Sequence, residues 1–212
     1  MVIDLHVHTN RLSSDSILDP EAAIQQAKQR GLDGFCITEH DRIWPAEEIQ
    51  KLREKWGFLV LGGVELETVE GHMLVFGLRE DIKTFLRASE LRQRVDEVDG
   101  VIIAAHPFKG FRVFGISQLK LTVEQAVKRQ IFKLVDAIEV RSGRSSKNEN
   151  DFAQQVSERL GIGGTGGSDA HSLEEIGRCV TIFNNNISNE AELIAELKAG
   201  RFKAGYFYKQ EV

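Results

Sequence analysis

The sequence predicts an α/β fold: a mostly parallel sheet wrapped by helices. Two observations point there. Short apolar runs of strand length alternate almost throughout with amphipathic stretches of helix length. All the histidines, at 6, 8, 40, 72, 106 and 171, fall in or beside the strand-like runs and none on a helical one, as expected if they collect at the carboxyl edge of such a sheet. With roughly seven strand–helix units, an open sheet and a barrel both satisfy the periodicity.

The elements follow in order. Ile3 to Arg11 begins as an alternating strand, with Asp4, His6 and His8 expected on one face and Leu5 and Val7 on the other. A polar loop, Leu12 to Leu18, leads to a helix with Asp19 as N-cap and Pro20 at its first position, running to about Arg30 and stopped by Gly31. Asp33 to Thr38 reads as a buried strand ending in Glu39-His40-Asp41, and Ala46 to Trp56 as a helix with Ile49, Leu52 and Trp56 on one face. Apolar runs at Phe58 to Leu61 and Val64 to Thr68 precede a Glu70-Gly71 turn and a strand from His72 to Leu78. A helix is expected over Glu80 to Val98, a strand over Val101 to Ala105 ending in His106-Pro107, and a helix over Thr122 to Leu134. Ala137 to Val140 is a strand, Asn148 to Leu160 a helix capped by Gly161, and Gly163 to Gly167 leads into Ser168-Asp169-Ala170-His171. A strand at Cys179 to Phe183, a helix at Asn189 to Ala199 and an aromatic tail from Phe202 to Tyr208 close the chain.

The 212 residues suit a single domain spanning 1–212. No apolar run approaches the ~20 residues of a membrane span, and the first residues lack a basic-then-apolar leader, so a cytoplasmic location is expected. Cys36 and Cys179 sit in apolar strands, reduced and outside any disulfide framework. A net charge of −5 and a pI near 5.7 argue against an extended track for duplex nucleic acid, while leaving room for a small phosphorylated substrate at a local positive centre.

Two imidazoles spaced i, i+2 on a strand offer ring nitrogens to a shared divalent ion at about 2 Å. Asp169 and His171 repeat that spacing, Glu65 lies in an apolar strand where an unpaired charge is costly, and Asp15 follows the first pair closely. Glu67, on the same side of its strand as Glu65, is an alternative ligand. Read singly, His72 is also compatible with an exposed turn, His106 with a satisfied core histidine and Asp15 with a capping acid. Their joint placement points to a shared functional role for the set.

Asp4-Leu5-His6-Val7-His8-Thr9, Thr38-Glu39-His40-Asp41, Gly63-Val64-Glu65, Ala105-His106-Pro107-Phe108 and Gly167-Ser168-Asp169-Ala170-His171 resemble, in order, the successive motifs of the PHP (polymerase and histidinol phosphatase) family. The resemblance implies a distorted (β/α)7 barrel with divalent metal ions, two or three in number and zinc, manganese or iron in identity, at the carboxyl ends of the strands. It implies that His6, His8, Glu65 and Asp169 hold a first ion and that Glu65 bridges to a second completed by His72 and His106. Asp15, His40 and His171 would hold a third.

Two ions ~3.5–4 Å apart across Glu65 would turn a bridging water into hydroxide near neutral pH, and no side-chain nucleophile is required. The expected activity is that of a metal-dependent phosphoesterase on a small phosphomonoester or nucleotide. Within the family, histidinol phosphatase, exonuclease on short oligonucleotides and protein-tyrosine phosphatase are alternatives, and from another class a non-catalytic metal-binding module. Candidate phosphate ligands are Arg141, which continues a strand toward the catalytic edge, with Lys109, Arg144 and Arg178. Gly161 to Gly166 satisfies G-x-G-x-x-G, but it follows a helix and leads into a metal motif. It is therefore read as a helix stop and a tight strand passing close to the site, not as a dinucleotide fingerprint.

Overall fold

The computed structural model describes residues 1–82, 86–110 and 121–207. Nine strands, β1 (Val2–Val7), β2 (Gly34–His40), β3 (Leu59–Thr68), β4 (Gly71–Phe76), β5 (Val101–Ala104), β6 (Ala137–Ser142), β7 (Gly163–Gly167), β8 (Cys179–Phe183) and β9 (Phe202–Tyr206), form one sheet. Their order is β7-β6-β5-β4-β3-β2-β1-β8-β9. The first seven curl until the segment after β7 meets β1: His8 N donates to Ala170 O (2.9 Å) and Ala170 N to His6 O (3.2 Å). The result is the nearly closed, distorted barrel expected from the motifs.

Within the seven strands of the curl, one departs from the parallel pattern. β4 runs antiparallel to both β3 and β5, because the two residues between Thr68 and Gly71 allow a hairpin and leave no room for a crossover helix. His72, at the start of β4, therefore lies at the same rim as His40 and Glu65, which pair across β2 and β3. β8 and β9 form an antiparallel extension beside β1.

The helices are α1 (Pro20–Gln29), α2 (Ala46–Trp56), α3 (Ala88–Glu97), the single turn α4 (Val123–Ala126), α5 (Lys147–Leu160) and α6 (Glu190–Lys198). Asp19 caps α1 by accepting from the Glu21 and Ala22 amides, and Ser146 with Glu149 forms a capping box on α5. The helix expected over 80–98 is shorter: Leu86 pairs with Thr68 as an isolated bridge, and α3 starts only after it, with 83–85 outside the described residues. The helix expected over 122–134 breaks into α4 and a 3-10 turn at Gln130–Lys133. Its buried residues, Ala126, Ile131 and Phe132, do not share one helical face, so a continuous helix would strand one of them in water. Tyr208 of the aromatic tail lies outside the described residues.

Three apolar clusters follow from the strand alternation. Ile3, Leu5, Cys36, Leu61, Leu74, Phe76, Val101 and Ile103 fill the inside of the curl, closed by Leu193 and Leu197 of α6. Phe35, Ile37 and Val60 face outward onto α1 and α2, and Val64, Val75, Ile102 and Ile138 onto α3 and α5. With its lower half plugged by hydrocarbon, the barrel leaves its inward-facing polar residues to gather at the carboxyl rim.

Candidate metal centre

The centre begins with an irregularity in β1. Its register against β2 advances three residues, Asp4 to Val7, while β2 advances two, Phe35 to Ile37, which marks a β-bulge. The simple alternation expected from the sequence is thereby broken: Leu5 joins Ile3 inside the barrel, whereas Val7 packs outward with α1. The extra residue lets His6 turn inward beside His8, while Asp4 faces the loop after β7. There its Oδ1 accepts from Ser168 N (2.8 Å) and its Oδ2 from Gly177 N (2.9 Å). Burial pushes the Asp4 carboxyl up to about 6 despite these bonds.

Each inner imidazole is held from behind by a buried carboxylate. His6 Nδ1 donates to Glu139 Oε1 at 3.0 Å. His8 Nδ1 lies 3.3 Å from Ser13 Oγ, whose own proton goes to Glu39 Oε2 at 2.5 Å, so Ser13 receives the His8 proton. Glu39 also accepts from Thr9 N and Trp44 Nε1. With the Nδ1 of each ring engaged from behind, the two Nε2 atoms turn toward each other, 3.0 Å apart, where an ion would take the place of any proton shared between them. Glu65 Oε2 lies 3.4 Å from His6 Nε2, 3.3 Å from His8 Nε2 and 3.1 Å from His40 Nδ1, yet it is a buried oxygen with no hydrogen-bond partner. Asp169 Oδ1 completes the ring at 3.6 and 3.5 Å from the same two nitrogens. Two imidazole nitrogens and two carboxylate oxygens converge in a dry site, and one of those oxygens, Glu65 Oε2, has no hydrogen-bond partner; this donor set fits a divalent metal.

Three groups offer ligand atoms within 4.8 Å of one another: His6, His8, Glu65 and Asp169; Glu65, His72 and His106; and His8, His40 and His171. Glu65 belongs to two of them. Its Oε1 lies 3.0 Å from both His72 Nδ1 and His106 Nε2, while Oε2 faces the first group. Asp15, 55% exposed at the mouth, has its Oδ2 3.1 Å from His171 Nε2 and 3.4 Å from His40 Nε2. All nine residues singled out from the sequence thus converge, and Glu67, the alternative to Glu65, is exposed.

The electrostatics follow from burial and mutual proximity. Burial disfavours a charged His6, but the Glu139, Glu65 and Asp169 carboxylates outweigh it and hold His6 well above its ordinary value. Burial also opposes ionisation of Glu65 and Asp169, yet the surrounding imidazoles, His6 foremost, hold both below the usual carboxylate range. Hydrogen bonds to Glu65 raise His40 and His72, whereas desolvation lowers His171. Backbone strain sits on two donors: His106 (φ 26°) and Asp169 (φ 53°) adopt positive φ. His106 is fixed by its amide, which donates to Glu139 Oε2 at 2.9 Å.

The basic candidates separate. Lys109 Nζ reaches Asp169 Oδ2 at 2.5 Å, inside the centre. Arg144 and Arg178 share Glu175, whose other oxygen accepts from His171 N. Arg141 is directed elsewhere: a second bulge, between Glu139 and Arg141, breaks the alternation that would have placed both on the inner face. Its guanidinium donates to Val140 O and Asn150 O and lies over the Tyr206 ring. The glycine-rich stretch behaves as read: a Cβ on Gly167 would lie 2.4 Å from His6 Cβ and 2.7 Å from Glu139 Oε1. Sequence reasoning missed Glu139 and the buried Glu39. Glu139 carries the signal that marked Glu65, a carboxylate inside an apolar strand.

Comparison with known proteins agrees with this architecture. A family model described as PHP-associated matches residues 147–202. An uncharacterised protein of Methanocaldococcus jannaschii is 31% identical over 131 residues, 55% of this chain and 77% of that protein. The phosphoribosyl 1,2-cyclic phosphate 1,2-diphosphodiesterase of Eggerthella lenta is 33% identical over 86 residues, 38% of this chain and 32% of that enzyme. Among solved structures, a two-domain protein of Bacteroides vulgatus containing a predicted PHP-like metal-dependent phosphoesterase superposes with a TM-score of 0.71 at 19% identity, covering 97% of this chain and 64% of that one. The fold and site define an α/β barrel with a histidine and carboxylate cluster at its rim. The chain belongs to the PHP family.

Proposed function

We propose that the protein is a metal-dependent phosphoesterase acting on a small phosphomonoester or nucleotide. The observation that carries this reading is the convergence of the His6 and His8 Nε2 atoms, 3.0 Å apart, on the orphaned Glu65 Oε2. His6, His8, Glu65 and Asp169 would hold one ion, and Glu65, His72 and His106 a second. Asp15, His40 and His171, with His8 alongside, would hold a third. Zinc, manganese and iron all suit nitrogen and oxygen donors of this kind. Divalent ions in these positions supply Lewis acidity toward phosphoryl oxygens and make water a competent nucleophile near neutral pH.

The chain's own residues do the positioning. Glu139 and the Ser13–Glu39 pair fix the ring orientation and tautomer of His6 and His8, so the nitrogens face inward without a search over rotamers. Lys109, anchored on Asp169, places a positive charge at the mouth where a phosphoryl oxygen arrives. Hydrocarbon below the cluster keeps bulk water out from underneath.

The test is a panel of phosphomonoesters and phosphodiesters assayed on protein of measured metal content, loaded in turn with manganese, zinc and iron. Turnover that falls at least ~100-fold in His8→Ala, with the fold retained by circular dichroism, supports the reading. Full metal content without turnover on the panel overturns it and leaves a metal-binding module.

A further inference from the structure

We propose that the cavity beside His72 and His106 receives a second anionic group of the substrate, a phosphate or carboxylate held by Arg129. The inference rests on the phosphoesterase reading and narrows it: the substrate is a phosphoester carrying at least one further acidic group.

The cavity opens directly off the second ligand group. Its volume is about 380 Å³, within the range of small-molecule sites, and its walls include His72, His106, Lys109, Arg129, Glu70 and Ile131. Two of these groups are cations and one is a carboxylate, and the carboxylate is committed: Glu70 Oε2 accepts from Ala88 N at the start of α3 (2.7 Å). A phosphoester whose scissile group sits on Glu65, His72 and His106 has this space as its neighbour.

The state of the basic residues singles out Arg129. Arg141 donates to backbone oxygens and is stacked on Tyr206, Arg144 and Arg178 are both drawn to Glu175, and Lys109 faces Asp169. Arg129 is half-buried in the cavity wall and has no acidic partner among the described residues. A guanidinium in that state offers a planar fork that matches two oxygens of an incoming anion, and binding there neutralises a charge the fold leaves uncompensated. Its position is fixed by local chain geometry: Arg129 stands in extended conformation between α4 and the 3-10 turn, where the expected long helix breaks.

The test measures binding, so its outcome does not depend on turnover. Propylphosphonate, propane bisphosphonate and phosphonobutyrate are titrated calorimetrically into metal-loaded protein, with metal content measured before and after. The variants are Arg129→Met, which keeps the aliphatic stem, and Arg129→Lys, which keeps the charge. For the wild type, the bisphosphonate or the phosphonocarboxylate binds about tenfold tighter than propylphosphonate, the size expected of one charge-assisted contact. The tighter of the two identifies phosphate or carboxylate as the second group. Arg129→Met removes the gain and leaves propylphosphonate unchanged, while Arg129→Lys retains part of it. Equal binding of all three probes by the wild type, or a gain that survives in Arg129→Met, overturns the proposal. Turnover without this selectivity sinks the inference alone. Selectivity without turnover sinks the hydrolytic reading and leaves the anion site standing.

Discussion

Replacing Glu139 with glutamine changes one charge and almost no volume. Glu139 accepts two hydrogen bonds, from His6 Nδ1 at 3.0 Å and from His106 N at 2.9 Å. A glutamine amide has one oxygen and one nitrogen, and the backbone amide of His106 is a donor that cannot change its role. The amide oxygen must therefore turn to His106, presenting its N–H to His6 Nδ1. His6 is then driven to the other tautomer, with its proton on Nε2, pointing into the space shared with His8 Nε2 and Glu65 Oε2. The variant loses one buried charge-assisted bond, worth about 1.5–3 kcal/mol, and the inward lone pair with it. Metal affinity should accordingly fall about 10- to 100-fold. The loss should also depend on pH. Glu139 is the leading carboxylate raising His6, so in the wild type a proton competes with the ion and affinity rises as pH increases through the elevated His6 range. Without that carboxylate the competing proton is held less tightly, so the deficit of Glu139→Gln is greatest at alkaline pH and narrows under acid conditions. Chelator competition across pH measures both effects, and nitrogen-15 NMR of labelled imidazoles reads the His6 tautomer directly. Affinity within twofold of wild type at alkaline pH, with His6 still protonated on Nδ1, would refute the positioning argument.

Two further outcomes are expected. Gly167→Ala forces a methyl group to 2.4 Å from His6 Cβ, and should destabilise the metal-free protein by about 1–3 kcal/mol. A melting temperature within a degree of wild type in differential scanning calorimetry would show that the strand yields freely. Asp4 has a folded-state pKa of about 6 against 3.8 for the free group, so the folded state binds the extra proton and stability declines as pH rises through that window. Asp4→Asn lacks this dependence. Relative to wild type it should gain up to about 3 kcal/mol between pH 4 and pH 7 in urea denaturation of metal-free protein, and a constant difference would count against a buried, neutral-preferring Asp4.

Much of this architecture was legible in the chain because its signals are local. The bounds of α2 and β8 follow from apolar periodicity, and the start of α1 from Asp19-Pro20. The antiparallel turn of β4 was also readable, since two residues cannot carry a crossover. The bulges in β1 and β6 were not. An added residue in a strand is set by how neighbouring strands pair, and one such residue reverses every later side chain, which is why Leu5 moved inward and Arg141 outward.

The amino-acid sequence by itself supplied the candidate donors: six histidines and three carboxylates in strands and the loops beside them, whose chemistry is written in their residue types. Only the tertiary structure decided how they meet. It placed both oxygens of Glu65 between two ligand groups, put Glu139 behind His6, and left Arg129 without an acidic partner among the described residues. The physical reason is range. Side-chain chemistry and periodicity act within a few residues, whereas tautomer, burial and uncompensated charge depend on groups brought together from across the chain by strand register and barrel closure.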